Sequence, residues 1–160
     1  MLTLIAEASA TFVGFSLAIG LLQPDQPNAA ARLNSMRGVA ELAIIAGAGA
    51  LLALLLNAFG LSSATVWRLA SAALAMGWTV AALFASRRIR KAGSRMIRSS
   101  TLLVVPFLVS LGILLLAWNT IAPDASSGAR YNAALVFALG ASASLFVRAA
   151  FEHPETPPAA

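Results

Sequence analysis

The hydrophobic residues of this chain fall into five long, nearly unbroken runs, over residues 2–22, 39–61, 69–86, 101–122 and 131–147. A half-buried strand would alternate apolar and polar positions, and a surface helix would repeat them every three or four residues. Neither pattern dominates here. Each run approaches the ~20 residues, within a range of ~17–25, that a helix needs to cross the hydrocarbon of a bilayer. A membrane barrel would instead need alternating segments of about 10 residues. The runs therefore predict an all-α fold, a membrane helical bundle with five transmembrane helices. Residues 1–151 form one bundle, and the proline-containing tail 152–160 is expected to be a disordered cytoplasmic extension. The weakest of the five is the third run, whose outer end Arg68 trims. Without it the chain would have four spans and a poorer distribution of cations.

The breaks between runs carry turn chemistry. Gln23-Pro24-Asp25-Gln26-Pro27-Asn28 follows the first run, and Asn28 is placed to cap a short helix 29–37 that leads into the second. Gly60-Leu61-Ser62-Ser63-Ala64-Thr65 makes a tight turn between the second and third. A basic segment, 87–98, joins the third and fourth, and 123–128 joins the last two. Pro106 falls in the first turns of the fourth run, where a missing N–H matters little.

Composition agrees with the run lengths. The chain of 160 residues is 59% hydrophobic and 11% charged, against about 25% charged in soluble domains. So much apolar surface has no place in a soluble core of this size. With no cysteine, disulfides and thiolate metal sites are excluded. The first run reads as a mature span and not a cleaved leader. No Lys or Arg precedes Arg32, and the run exceeds the ~7–15 residues of a leader's apolar region.

The net charge of +5 would suit nucleic acid, but the cations lie between the apolar runs and have no aromatic interleaving, so nucleic-acid binding is not expected. Placing Arg87, Arg88, Arg90, Lys91, Arg95 and Arg98 in the cytoplasm puts Arg32, Arg37 and Arg148 there too, and only Arg68 and Arg130 outside. Nine of the 11 cations are then inside. The expected orientation is an outer N-terminus and a cytoplasmic C-terminus. The partners this implies are the lipid bilayer and, for the 87–98 segment, acidic headgroups.

Small residues recur every four positions. Ala6, Ala10, Gly14 and Ala18 do so in the first run, and Ala73, Gly77, Ala81 and Ala85 in the third. Ala43 with Gly47, Gly49 with Ala53, and Ala134, Ala138 and Ser142 repeat the spacing in the second and fifth. Such stripes let helix backbones approach closely, either within one subunit or between subunits.

Candidate chemistry centres on Glu7, about five residues inside the first span. An intramembrane carboxylate is costly and marks a functional hypothesis. Its face also carries Thr11, Gly14, Ala18 and Leu21. In the expected topology Asn57, Arg68, Asn119, Thr120, Arg130 and Asn132 lie at the same end of the other spans, beside the belt residues Trp67, Trp118 and Tyr131. Glu7, Thr11, Gly14, Asn57, Arg68, Asn119 and Arg130 are thus the candidate polar cluster or ion path, with Glu7 expected to pair with Arg68 or Arg130. Glu41, four residues after Arg37, reads as a helical ion pair. No catalytic, cofactor or metal motif is present, His153 stands alone beside Glu152, and no cofactor is expected.

The stretch Glu7-Ala8-Ser9-Ala10-Thr11-Phe12-Val13-Gly14-Phe15-Ser16, with Gly60-Leu61-Ser62 and Trp67-Arg68-Leu69, resembles small uncharacterised polytopic membrane proteins of bacteria. The resemblance implies an inner-membrane setting and no functional residues. Two functions remain open. One is a non-enzymatic membrane scaffold or accessory subunit that self-associates or joins a membrane-protein partner. The other is a cation channel or transporter component, with the first span lining the path and Glu7 at the outer mouth. One acid without a second acid, histidine or metal does not support an intramembrane hydrolase.

Overall fold

The computed structural model describes residues 1–22, 29–91 and 101–151, with side chains described over 1–19, 36–87 and 104–148. Among these residues there are five helices: α1 (Leu2–Leu22), α2 (Ala29–Ala58), α3 (Ser63–Lys91), α4 (Thr101–Ile121) and α5 (Ser127–Phe151). Among the described residues there is no strand. All five helices contain a stretch long and apolar enough to cross a membrane. The fold is an all-α membrane bundle, as the run lengths predict.

The helix ends differ from the ends of the apolar runs, because backbone caps set them. α2 is one continuous helix from Ala29, with no break before the second apolar run. It stops at Ala58, where Gly60 adopts a left-handed φ of 71° and its N–H reaches the Asn57 carbonyl at 3.1 Å. Ser62 then caps α3: its carbonyl accepts from Val66 N–H at 2.9 Å and its hydroxyl contacts that of Thr65 at 2.8 Å. α3 therefore begins six residues before Leu69, and Arg68 lies inside the helix instead of ending it. Pro106 lies inside α4, in its second turn, where it removes one backbone donor. The proposed cap Asn28, the loop 23–28 and the tail 152–160 lie outside the described residues.

Four helices close a ring: α2 packs on α3, α3 on α4, α4 on α5, and α5 returns to α2. α1 lies outside this ring, against α2 and more lightly against α5. The core between the ring helices is filled by Ala46, Ala50, Ala53, Ala70, Leu74, Trp78, Leu116, Tyr131, Ala134, Leu135 and Ala138.

The small-residue stripes divide into two kinds. On α2 and α5 they face inward: Ala43, Gly49, Ala53, Ala134, Ala138 and Ser142 are all buried. A Cβ on Gly49 would lie 2.9 Å from Leu135 and 3.0 Å from Leu74, and one on Gly47 would lie 3.0 Å from Ser9. Here smallness is what permits the helices to approach, and dispersion contacts replace the hydrophobic drive that lipid removes. On α1 and α3 the stripes turn outward. Ala10, Gly14 and Ala18 are exposed, as are Ala73 and Gly77, and added Cβ atoms at Gly14 and Gly77 would meet only open space.

Two cross-helix hydrogen bonds reinforce the packing of α5 on α2. Tyr131 donates to the Gly49 carbonyl at 2.7 Å, and Ser142 to the Val39 carbonyl at 3.0 Å. Trp67 tilts over Tyr131, with ring centroids 5.5 Å apart, and ties α3 to the same pair.

Candidate functional site

The densest polar arrangement is built where α4 ends and α5 begins. Asn119, in the last turn of α4, is fully buried. Its amide nitrogen donates to the Ser127 carbonyl at 2.7 Å and to the Ser71 hydroxyl, on α3, at 3.3 Å. Its amide oxygen accepts from Arg130 Nε at 3.0 Å. Both amide donors and the acceptor are therefore engaged, as a buried amide requires. Arg130, in the first turn of α5, also bridges to the Asp124 carboxylate through Nη2.

Asp124 organises the connecting loop. Its carboxylate accepts from the Ser126 N–H and hydroxyl, both at 2.7 Å, and the Ser127 hydroxyl accepts from Asp124 N–H at 2.8 Å. This is an aspartate turn that feeds directly into a helix start. The Ser126 hydroxyl, then Arg130, then the Ser126 N–H hold the Asp124 carboxyl down to about 2, from an ordinary 3.8.

Of the seven candidate residues, only Asn119 and Arg130 come together. Asn57 is exposed at the end of α2, where its carbonyl receives Gly60 N–H. Arg68 is exposed on α3. Glu7, Thr11 and Gly14 are exposed on the outward face of α1. The Thr11 hydroxyl donates to the Glu7 carbonyl at 3.0 Å. The expected pairing of Glu7 with Arg130 does not form, because Arg130 turns to Asp124 and Asn119. Nor does the pairing with Arg68: α1 packs on α2 and α5 and turns its Glu7 face away from the ring. Among the described residues neither the Glu7 carboxylate nor the Arg68 guanidinium has an ion-pair partner.

Arg37 and Glu41 form the expected i,i+4 bridge at 2.9 Å. Arg87 is exposed at the far end of α3. The side chains of Arg88, Arg90 and Lys91, together with residues Arg95 and Arg98 and the side chain of Leu21, lie outside the described residues.

Sequence reasoning did not single out Asp124, Ser71 or Ser127. The signal for the first and last was present: Pro123-Asp124-Ala125-Ser126-Ser127 is a turn-and-cap run immediately before an apolar stretch. Ser71 had none, since a lone serine in an alanine-rich helix is unremarked until the facing helix is known.

Chemically the arrangement is a clamp. It fixes the α4–α5 loop to α3 and neutralises Arg130 at a helix start. The six buried serine and asparagine side chains among the described residues are all hydrogen-bonded within the bundle: Ser9, Ser16, Ser71, Asn119, Ser127 and Ser142. Trp78 Nε1 and Asn132 Oδ1 are buried without a hydrogen-bond partner among them. Groups of three or more His, Cys, Asp or Glu that would suit a metal do not occur among the described residues. No known family, curated protein or solved structure matches the chain.

Proposed function

We propose that this protein is a non-enzymatic, multi-pass membrane subunit that works by assembling with other transmembrane helices. One observation carries the reading: a carboxylate and a stripe of small and weakly polar residues lie together, exposed, on the outward face of α1. Thr3, Glu7, Ala10, Thr11, Gly14 and Ala18 are exposed there, while the interior is filled with side chains and its serines and Asn119 are satisfied. A carboxylate turned toward hydrocarbon is expensive, and a small-residue face offers little packing to lipid. Both features favour a protein neighbour. The cation distribution supports an outer N-terminus, with exposed Arg87 and the segment after it against acidic headgroups, and the resemblance to small bacterial membrane proteins implies an inner-membrane setting.

The same face supports a second reading, a cation path. Glu7 would then form an acidic ring around an assembly axis, and Thr11 and Gly14 would leave width below it. Cation flux into liposomes containing the purified protein separates the two. The scaffold reading expects flux no greater than in empty liposomes. Flux that disappears in Glu7→Gln would replace it with the channel reading.

A further inference from the structure

We infer that the neighbour on the α1 face is a second copy of this chain, docked through its α3, with Glu7 of one copy paired to Arg68 of the other. The inference rests on the assembling-subunit reading and names its partner. Copies inserted in the same sense are related by rotation about the membrane normal, so helices of one copy meet parallel or antiparallel helices of the next at fixed depth. α1 and α3 run in the same sense, separated by one intervening helix.

Their relative height follows from α2, which touches both. Gly47 meets Ser9 of α1, and Gly49, two residues on, meets Leu74 of α3. Ser9 and Leu74 are thus nearly level, within about 3 Å at 1.5 Å per residue. Leu74 is the nearer of the two to the helix start, because Gly49 follows Gly47 on the antiparallel α2; with Glu7 two residues above Ser9 and Arg68 six above Leu74, Arg68 is roughly 9 Å nearer the helix start than Glu7. An arginine and a glutamate side chain together span that distance, with the arginine stem lying along the neighbouring helix.

Level by level, the exposed faces fit. Thr11 falls between the levels of Met76 and Thr79, and Gly14 between those of Thr79 and Leu83. Glu7, Thr11, Gly14 and Ala18 fall within a narrow strip of α1 at ~100° per residue, and Arg68, Ala72, Met76, Thr79 and Leu83 do so on α3. One strip is small, with open space at Gly14. The other carries the projecting Met76 and Leu83, 68% and 56% exposed. Projecting side chains on one helix then enter the hollow on the other. Charge decides between the pairings. An α1–α1 contact sets Glu7 against Glu7, and an α3–α3 contact sets Arg68 against Arg68. Only α1–α3 joins the exposed carboxylate to the exposed guanidinium.

The chain has no cysteine, which makes the test direct. Two differently tagged copies, one with Thr11→Cys and one with Met76→Cys, are co-expressed and oxidised in native membranes. The expected product is a covalent dimer carrying both tags, with little dimer when either variant is expressed alone. Adding Glu7→Arg to the first copy should lower the yield about tenfold, and adding Arg68→Glu to the second should restore it. Restoration also shows that the substituted chains still fold. Dimers of Thr11→Cys with itself, no cross-link at all, or charge reversal without rescue would each overturn the α1–α3 pairing. Particle mass in lipid nanodiscs keeps the two levels apart. An assembly with the wrong cross-links removes this interface and leaves the subunit reading, whereas a lone chain without partner removes both.

Discussion

Replacing Asn119 with alanine should loosen the bundle at the junction of α3, α4 and α5. The substitution removes the bonds to Ser127, Ser71 and Arg130 at once. Side-chain hydrogen bonds in membrane bundles contribute on average about 0.6 kcal/mol each, so three amount to ~2 kcal/mol. Arg130 retains Asp124, which keeps the charge from being stranded. A loss of ~2 kcal/mol is a roughly 30-fold change in the unfolding equilibrium. The assay is reversible unfolding in mixed micelles titrated with dodecyl sulfate, followed by tryptophan fluorescence. Asn57→Ala is the control. That residue is exposed, and only its backbone carbonyl is engaged, so its change should stay within about 0.5 kcal/mol. If the two alanine variants unfold at the same point within that margin, the amide of Asn119 is not the clamp described here.

Three further outcomes follow from the same geometry. A Cβ on Gly112 would fall 2.6 Å from the buried Trp78 ring, so Gly112→Ala should cost about 1–3 kcal/mol in the same assay, while Gly77→Ala, which meets open space, should not. Asp124 has a folded pKa below its unfolded value, so its stabilising contribution is complete above about 3.8 and is lost as pH falls toward about 2; Asp124→Asn should flatten thermal stability between those limits in an acid-tolerant detergent, and an unchanged slope would contradict the loop assignment. Reporter fusions after Arg98 and within residues 126–128 should report cytoplasm and exterior respectively, and the same compartment for both would refute five spans with this orientation.

The number of helices was legible because lipid imposes a length on any spanning helix, and apolar runs record that length. Their ends were less so. Hydropathy places a boundary at Arg68, but Ser62 caps α3 six residues earlier, and an arginine inside a helix end extends its charge toward water while its backbone stays helical. The polar site was half legible. Asn119 and Arg130 were placed at one end of the bundle by topology alone, and they meet. The partner of Arg130 was misassigned because topology fixes depth but not adjacency. Asp124 lies six residues before Arg130 in the chain, closer than any residue of α1 once α1 packs outside the ring. The small-residue stripes show the same limit. Identical spacing serves tight packing on α2 and α5 and an open face on α1, and only the contacts tell them apart.

The central claim is that this bundle is a subunit whose α1 face is covered by another membrane protein. The most direct measurement is the mass of the particle extracted from native membranes into lipid nanodiscs without detergent exchange. A mass corresponding to several chains, or to the chain with a partner in fixed ratio, is the predicted result. A particle containing one chain of 16.5 kDa and lipid alone would contradict it.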